Sequence, residues 1–285
     1  MAGGTSLRGR VVGAALRRYR EMIGYQLEDA ARVLDCNRSK ISRIEAGVRG
    51  IRMLELRILL GEYGARADEQ GVLEVIADRR AGRGWWDDYA DVLPADMRDY
   101  LALEAASSRV LVYEPQRVPV LLQTESCALD LAAADPGLAA AAQQRAAEAA
   151  MIRQQAVLDY GRPEITAVLG EAVLRQAVGG PEAIATQLGQ LAAFGEDLPQ
   201  VTIQVLPFSR GAHAASGAGP LAVLELTGGP SLGVVHLGGP AGGVYLEDPA
   251  AVTGHARLFR HVQAAALPPG ESLRLIRDIA AGSSP

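Results

Sequence analysis

Two short apolar stripes separated by a polar turn leave few folds open to the first fifty residues. In "QLEDAARVLDCNRSKISRIEAG", Leu27, Ala30, Ala31 and Leu34 recur at three- and four-residue spacing, and Ile41 and Ile44 repeat it beyond the turn. Such spacing lines side chains along one helical face. Asn37 stands where a helix N-cap belongs, and Gly47 where a helix stops. The pattern predicts one helix from about Gln26 to Leu34, a turn, and a second running to Gly47. Helices this short are marginal alone in water, so neighbours must cover them. "RGRVVGAALRRYREMI", residues 8 to 23, supplies one through Val12, Leu16, Tyr19 and Ile23, with Gly24 as its stop. "RMLELRILLGEYG" supplies another through Met53, Leu56, Leu59 and Leu60. Ala31 is the small residue expected where the paired helices cross.

With Ile41 and Ile44 turned inward, Arg38, Ser39, Lys40, Ser42 and Arg43 face outward. A helix with such a face can enter a major groove about 12 Å wide, where arginine and lysine reach guanine edges or phosphates and serine reaches either. The charge distribution agrees. The chain carries a formal charge of −5, yet residues 1 to 66 hold 13 Arg and Lys against 7 Asp and Glu, or +6, and the remainder is −11. A basic head on an acidic body is the expected asymmetry when only the head meets a polyanion. The expected DNA contacts are Arg38, Ser39, Lys40, Ser42 and Arg43, with Asn37 capping the helix and Gln26 or Arg49 on the backbone. From Val11 to Gly64 the segment resembles the helix-turn-helix of phage-repressor-like (XRE) transcriptional regulators. That resemblance implies an ion pair between Arg20 and Glu45, and it puts Asp35 where such turns usually carry glycine.

A length of 285 residues suits two domains. The division expected is a helical head over 1–66, a helical linker with a glycine-flanked hinge over 67–84, and a body over 85–285. Cys36 and Cys127 are too few and too far apart for a disulfide framework or a zinc cluster, so reduced thiols are expected. No run of about 18 apolar residues and no signal-peptide core occurs, which points to a cytoplasmic protein without a membrane partner. Of the 28 basic residues only Lys40 is lysine, which leaves none for a P-loop or a Schiff base elsewhere.

In the body, "RVLVYE" and then "EITAVLG", "VTIQVLPF", "PLAVLEL", "LGVVHLG" and "GGVYLED" read as strands. Helices are expected near Met97–Ala106, over 137–160, and over Pro249–Leu267 and Gly270–Ala281. The fold class is therefore multidomain, an all-α head followed by an α+β domain with a mainly antiparallel sheet. No HExxH, GxSxG or GxxxxGK[ST] motif occurs, and "GGPAGGVY" is a glycine-rich turn without the following helix that phosphate binding needs. His255 and His261 sit about 240° apart around one helix, a poor metal pair. His213 lies in a loop and His236 on a strand, either within possible reach of Glu225 or Glu171. No catalytic residue, metal or cofactor is expected.

"YEPQRVPVLLQTE", "VLGEAVLRQAVGG", "VTIQVLPFSRGAH" and "VYLEDPA", in that order, resemble the C-terminal domain of the WhiJ-like actinobacterial regulators, from about Trp85 to Ala281. Members of that group join an XRE head to this domain, are often encoded beside a small partner protein, and include antitoxin-like proteins. The resemblance implies a transcriptional regulator whose body binds a partner or an effector. Its alternative is an antitoxin-like protein that mainly holds a small partner. Tyr113 and Arg117 on a rigid proline-flanked segment, and Arg210 and His213 on a long loop, are the expected binding residues of the body. A double-stranded operator and a homodimer complete the expectation, since two-fold operators match dimers.

Overall fold

The computed structural model describes residues 6–78, 84–161, 163–227, 229–239 and 243–282. The head is built from α1 (Leu7–Met22), α2 (Leu27–Val33), α3 (Arg38–Glu45), α4 (Met53–Glu62) and α5 (Ala67–Ala77). Leu7, Val11, Val12, Ala15, Leu16 and Tyr19 of α1 are buried against Ala30, Ala31, Ile41, Ile44, Leu56 and Leu60. The α1 stripe ends sooner than its spacing predicts. Ile23 is the C-cap, past the last turn, and is 40% exposed, while Val11 and Ala15 broaden the buried face.

The body opens with a short 3₁₀ turn, Trp85–Tyr89, then α6 (Ala95–Ala105), β1 (Arg109–Glu114), α7 (Glu125–Ala133) and α8 (Ala140–Gln155). After α8 the chain widens into a π turn over Ala156–Gly161, so the single helix expected over 137–160 is two kinds of helix in succession. There follow β2 (Glu164–Gly170), α9 (Glu171–Arg175), α10 (Pro181–Asp197) and β3 (Val201–Leu206). Next come β4 (Leu221–Thr227), β5 (Gly229–Leu237) and β6 (Val244–Leu246), and α11 (Pro249–Ala265) and α12 (Pro269–Ala280) close the described chain.

The six strands form one sheet in the order β3-β2-β1-β4-β5-β6. β1 pairs with β2 and β2 with β3 in parallel, whereas β1–β4, β4–β5 and β5–β6 are antiparallel. The sheet is thus mixed, antiparallel in three of five pairings. Its parallel part follows from connectivity: α7 with α8, and α9 with α10, are the long crossovers that parallel neighbours require. Alternation along β1 sends Leu111 and Tyr113 toward α11, with Val252, Ala256, Phe259 and Val262. Val110 and Val112 go to the other face, beneath α6 and the remaining helices.

The head is docked on the body through α1, which touches α3 and α5 on its own side and α6, β5 and α11 on the other. Arg8 donates through Nη2 to the carbonyls of Ile76, at 2.5 Å, and Asp78, at 2.7 Å, closing the end of α5. Its backbone amide lies 3.5 Å from Asp99 Oδ2 of α6, and Arg10 Nε lies 2.9 Å from Glu247 Oε1. The expected hinge falls mostly at 79–83, outside the described residues, as do residues 240–242 of the glycine-rich turn.

Candidate nucleic-acid interface

The turn before α3 is set by three local interactions. Asp35 adopts φ 46°, in the left-handed region where its short polar side chain is better tolerated than most. The Cys36 amide donates to Ala31 O at 2.9 Å, and the Lys40 amide donates to Asn37 Oδ1 at 2.9 Å as the N-cap bond. Gln26 caps α2 on the same side, its amide donating to Asp29 Oδ2 at 2.7 Å.

Position is then fixed by a buried guanidinium. Arg20 donates from Nε and Nη2 to the two carboxylate oxygens of Glu45, at 2.7 and 2.9 Å, and from Nη1 to Tyr25 O at 2.7 Å. Both side chains are less than a tenth exposed. A fork of this kind ties the end of α1, the loop to α2 and the end of α3 into one unit. Gly13 adds a close approach: a Cβ there would lie 2.5 Å from Glu45 O and 2.6 Å from Ile44 O. Ala31 is buried as expected of a crossing residue, but the tightest crossing is α1 on α3, through Gly13.

Arg38, Ser39, Ser42 and Arg43 are exposed on α3, and Asn37 and Arg49 are exposed at its ends. Arg38 leans on Glu28 at 3.1 Å, both side chains more than half exposed, a contact of little energy. Arg43 has no ion-pair or hydrogen-bond partner for its side chain among the described residues. Lys40 differs from its expected role. Its ammonium sits 2.7 Å from Glu55 Oε1 of α4 with both side chains about four-fifths buried, and that hydrogen bond holds the Glu55 carboxyl below its ordinary pKa. Lys40 is thereby a brace between α3 and α4 and not an open contact, because its long stem reaches a carboxylate on the next helix.

The four residues expected to bind in the body do not converge. Tyr113 is buried on the α11 face of the sheet, its ring 6.1 Å from that of His213. Arg210 donates to Ala265 O at 2.7 Å at the end of α11. Arg117 lies under the opposite face, half exposed, with Nε 3.6 Å from Glu114 Oε1. Neither carboxylate considered for the histidines meets one among the described residues. Glu171 accepts from the Phe208 amide and from Arg175 Nε, both at 2.8 Å, and Glu225 is paired with Arg109 at 3.2 Å. His255 bonds Ala251 O within its own helix. Among the described residues no group of three or more His, Cys, Asp or Glu is placed to hold a metal ion, and no helix is long and apolar enough to cross a membrane.

Residues 11–71 match the helix-turn-helix domain family, and residues 97–278, more than half the chain, match the family described as Domain of unknown function (DUF5753). The chain belongs to the DUF5753 family. No curated protein and no solved structure is matched.

Within the DUF5753 region the structure singles out Glu104 and Glu114, which sequence patterns passed over, and gives His236 neighbours other than the carboxylates considered for it. Glu104 of α6 receives Arg153 of α8 in a fork of 2.7 and 2.8 Å, with the carboxylate fully covered. His236 of β5 stacks on Tyr245 with centroids 5.0 Å apart and lies 5.3 Å from the ring of Tyr100. Burial, and then the charges of Arg153 and Arg117, push its imidazole down to about 4. Burial pushes the Glu114 carboxyl up to about 7, against the pull of Arg117. Glu114 stood inside a quoted motif, and alternation from Val110 and Val112 assigns it to the same face. An open cleft of 640 Å³ separates α1, at Arg17 and Met22, from Asp248 and Pro249 of the DUF5753 region.

Proposed function

We propose that the protein is a sequence-specific transcriptional regulator of XRE type. It reads a double-stranded operator with α3 as a homodimer, while its DUF5753 domain binds an effector or a partner protein. The observation that carries this reading is the exposed face of α3, where Arg43, Ser42, Ser39 and Arg38 lie open to solvent on a helix locked from behind by the Arg20–Glu45 fork. Phosphate contacts give affinity and base contacts give choice, and a single short helix supplies little of either, so two copies on half-sites one helical turn apart suit the geometry. The body is read as a binding domain and not a catalyst. Among the described residues its buried carboxylates Glu104 and Glu171 are taken up by arginines and a backbone amide, and no nucleophile with an adjacent base stands out. The resemblance to WhiJ-like regulators supports a partner, and α1 offers the path, since it lies between α3 and the body.

Two alanine variants test the assignment. Arg43→Ala should weaken operator binding by about 1–3 kcal/mol with the melting temperature unchanged. Lys40→Ala should lower the melting temperature, because it leaves the largely buried Glu55 without its partner. Unchanged affinity in Arg43→Ala, with the fold intact, would remove α3 from the interface.

A further inference from the structure

Under α6 the body holds a partly open cavity of 90 Å³, floored by Val112 and Ala222 of the sheet and walled by Tyr100, His236, Glu114 and Arg117. The sheet register explains the space. Val112, Ala222 and His236 are direct cross-strand partners, and the small side chain of Ala222 lies between two larger ones. Glu114 is two residues beyond Val112 on the same face, so Glu114 and His236 are two strands and two residues apart, roughly 12 Å. At roughly 10–15 Å³ for each water-sized occupant, the volume suits a molecule of about six to nine non-hydrogen atoms.

One polar group here lacks what burial demands. Glu114 Oε2 is fully covered with no hydrogen-bond partner, in a side chain only 10% exposed. His236, half-buried, lines the same cavity with its ring against those of Tyr100 and Tyr245 and its Nε2 toward Gly243. A buried polar atom is costly when unpaired, which makes the Glu114 oxygen, aimed into a cavity, a mark of a missing occupant. The charges, by contrast, balance. Glu104 is closed against Arg153, and Glu114 faces Arg117 at 3.6 Å. A ligand with net charge would add an uncompensated ion to this half-buried site, whereas a neutral one with a donor beside an acceptor answers both the unpaired Glu114 oxygen and the Arg117 guanidinium. Arg117, half exposed, stands at the mouth with donors to spare.

We infer that this cavity binds a small, flat, neutral molecule with an amide edge, a lactam or a pyrimidine-like ring. Its N–H donates to Glu114, its carbonyl accepts from Arg117, and its face lies toward His236 and Tyr100. The site deepens the effector half of the reading above and rests on it for its role. Tyr100 lines the cavity from one side of α6 while Asp99, the preceding residue, meets the Arg8 amide at the start of α1. A shift of α6 on filling the cavity is therefore felt by the helix that carries Arg20.

The test is ligand-observed saturation-transfer NMR on the full chain without DNA, so that failure of the head to bind an operator does not enter. The probes are 2-pyrrolidone and uracil, with acetate and methylammonium as charged contrasts. Expected is transfer to both amide-edged probes, mutual competition between them, and a shift of the His236 ring nitrogens. Glu114→Leu and Ala222→Leu, the second filling the floor and leaving every polar group in place, should each weaken binding at least tenfold. Absence of transfer to both neutral probes, binding confined to a charged probe, or binding retained in both variants would overturn the assignment.

Discussion

Glu114 and His236 titrate in opposite senses, and their opposition shapes how the fold responds to pH. The folded pKa of Glu114, about 7, lies above its ordinary 4.5, so its protonated form stabilises the fold fully below 4.5, and that contribution fades as pH rises toward 7. The folded pKa of His236, about 4, lies below its ordinary 6.5, so its contribution is whole above 6.5 and fades as pH falls toward 4. Burial is the main cause of both shifts; Arg117 opposes it at Glu114, Arg153 and Arg117 add to it at His236, and nearby Glu104 is closed against Arg153. For the well-buried Glu114 the swing is on the order of 3 kcal/mol; for the partly exposed His236 it is smaller. Between pH 4.5 and 6.5 the two offset each other in the native chain. Urea melts across pH 4–8 should therefore show Glu114→Gln losing stability more steeply on acidification than the native chain, and gaining relative to it at pH 8. His236→Phe should show the reverse slope. Parallel curves for all three would contradict these protonation states. The sequence made Arg20 and Glu45 legible because their role came with a recognisable motif. It hid the role of Lys40, whose partner Glu55 lies on another helix with no periodic relation to it. It pointed to Tyr113 and past Glu114 because alternation separates two faces of a strand without saying which one borders a cavity.

At the scale of elements, α1 against α3 is the contact on which DNA reading depends. Gly13 places the two backbones closer than any side chain permits, since both nearest atoms to a Cβ are carbonyl oxygens of α3. Gly13→Ala gains helix propensity, about 1 kcal/mol, yet forces the helices apart, and overpacking of this sort costs about 1–3 kcal/mol. The expected net result is a lower melting temperature and weaker operator binding, with the second loss exceeding what the unfolded fraction explains. A variant as stable and as tight-binding as the native chain would show that the approach has slack. Helices and strands in the body were legible one by one, because "RVLVYE", "VTIQVL" and "LAVLEL" are apolar runs bounded by glycine, proline or polar residues. Their pairing was less so. β1, β2 and β3 lie parallel because helices intervene, and only three dimensions reveal that α7 with α8, and α9 with α10, cross over instead of standing aside. The π turn at Ala156–Gly161 left no compositional trace, since "AVLDYG" continues the pattern of α8.

For the whole molecule the division of charge, +6 on residues 1 to 66 and −11 beyond, sets how it meets a polyanion. The acidic body repels DNA while the head attracts it, which orients approach so that α3 leads. The body is also joined to the head without a gap in the core: buried residues from Leu7 through Tyr100 to Ile276 form one continuous cluster. Arg10 with Glu247 adds a polar tie beside these packed side chains, which is the path that the proposed effector or partner would use. The two family matches cover residues 11–71 and 97–278, and the reversal of charge lies between head and body. The most direct measurement is a salt-dependent titration of the full chain on the DNA upstream of its own coding sequence, set against a scrambled fragment of equal length. Sequence-selective binding, at least a thousandfold tighter on the native fragment, with log affinity falling linearly as log salt rises by about 0.9 per phosphate neutralised, is the predicted result. Equal affinity for both fragments at every salt concentration would contradict sequence-specific reading by α3.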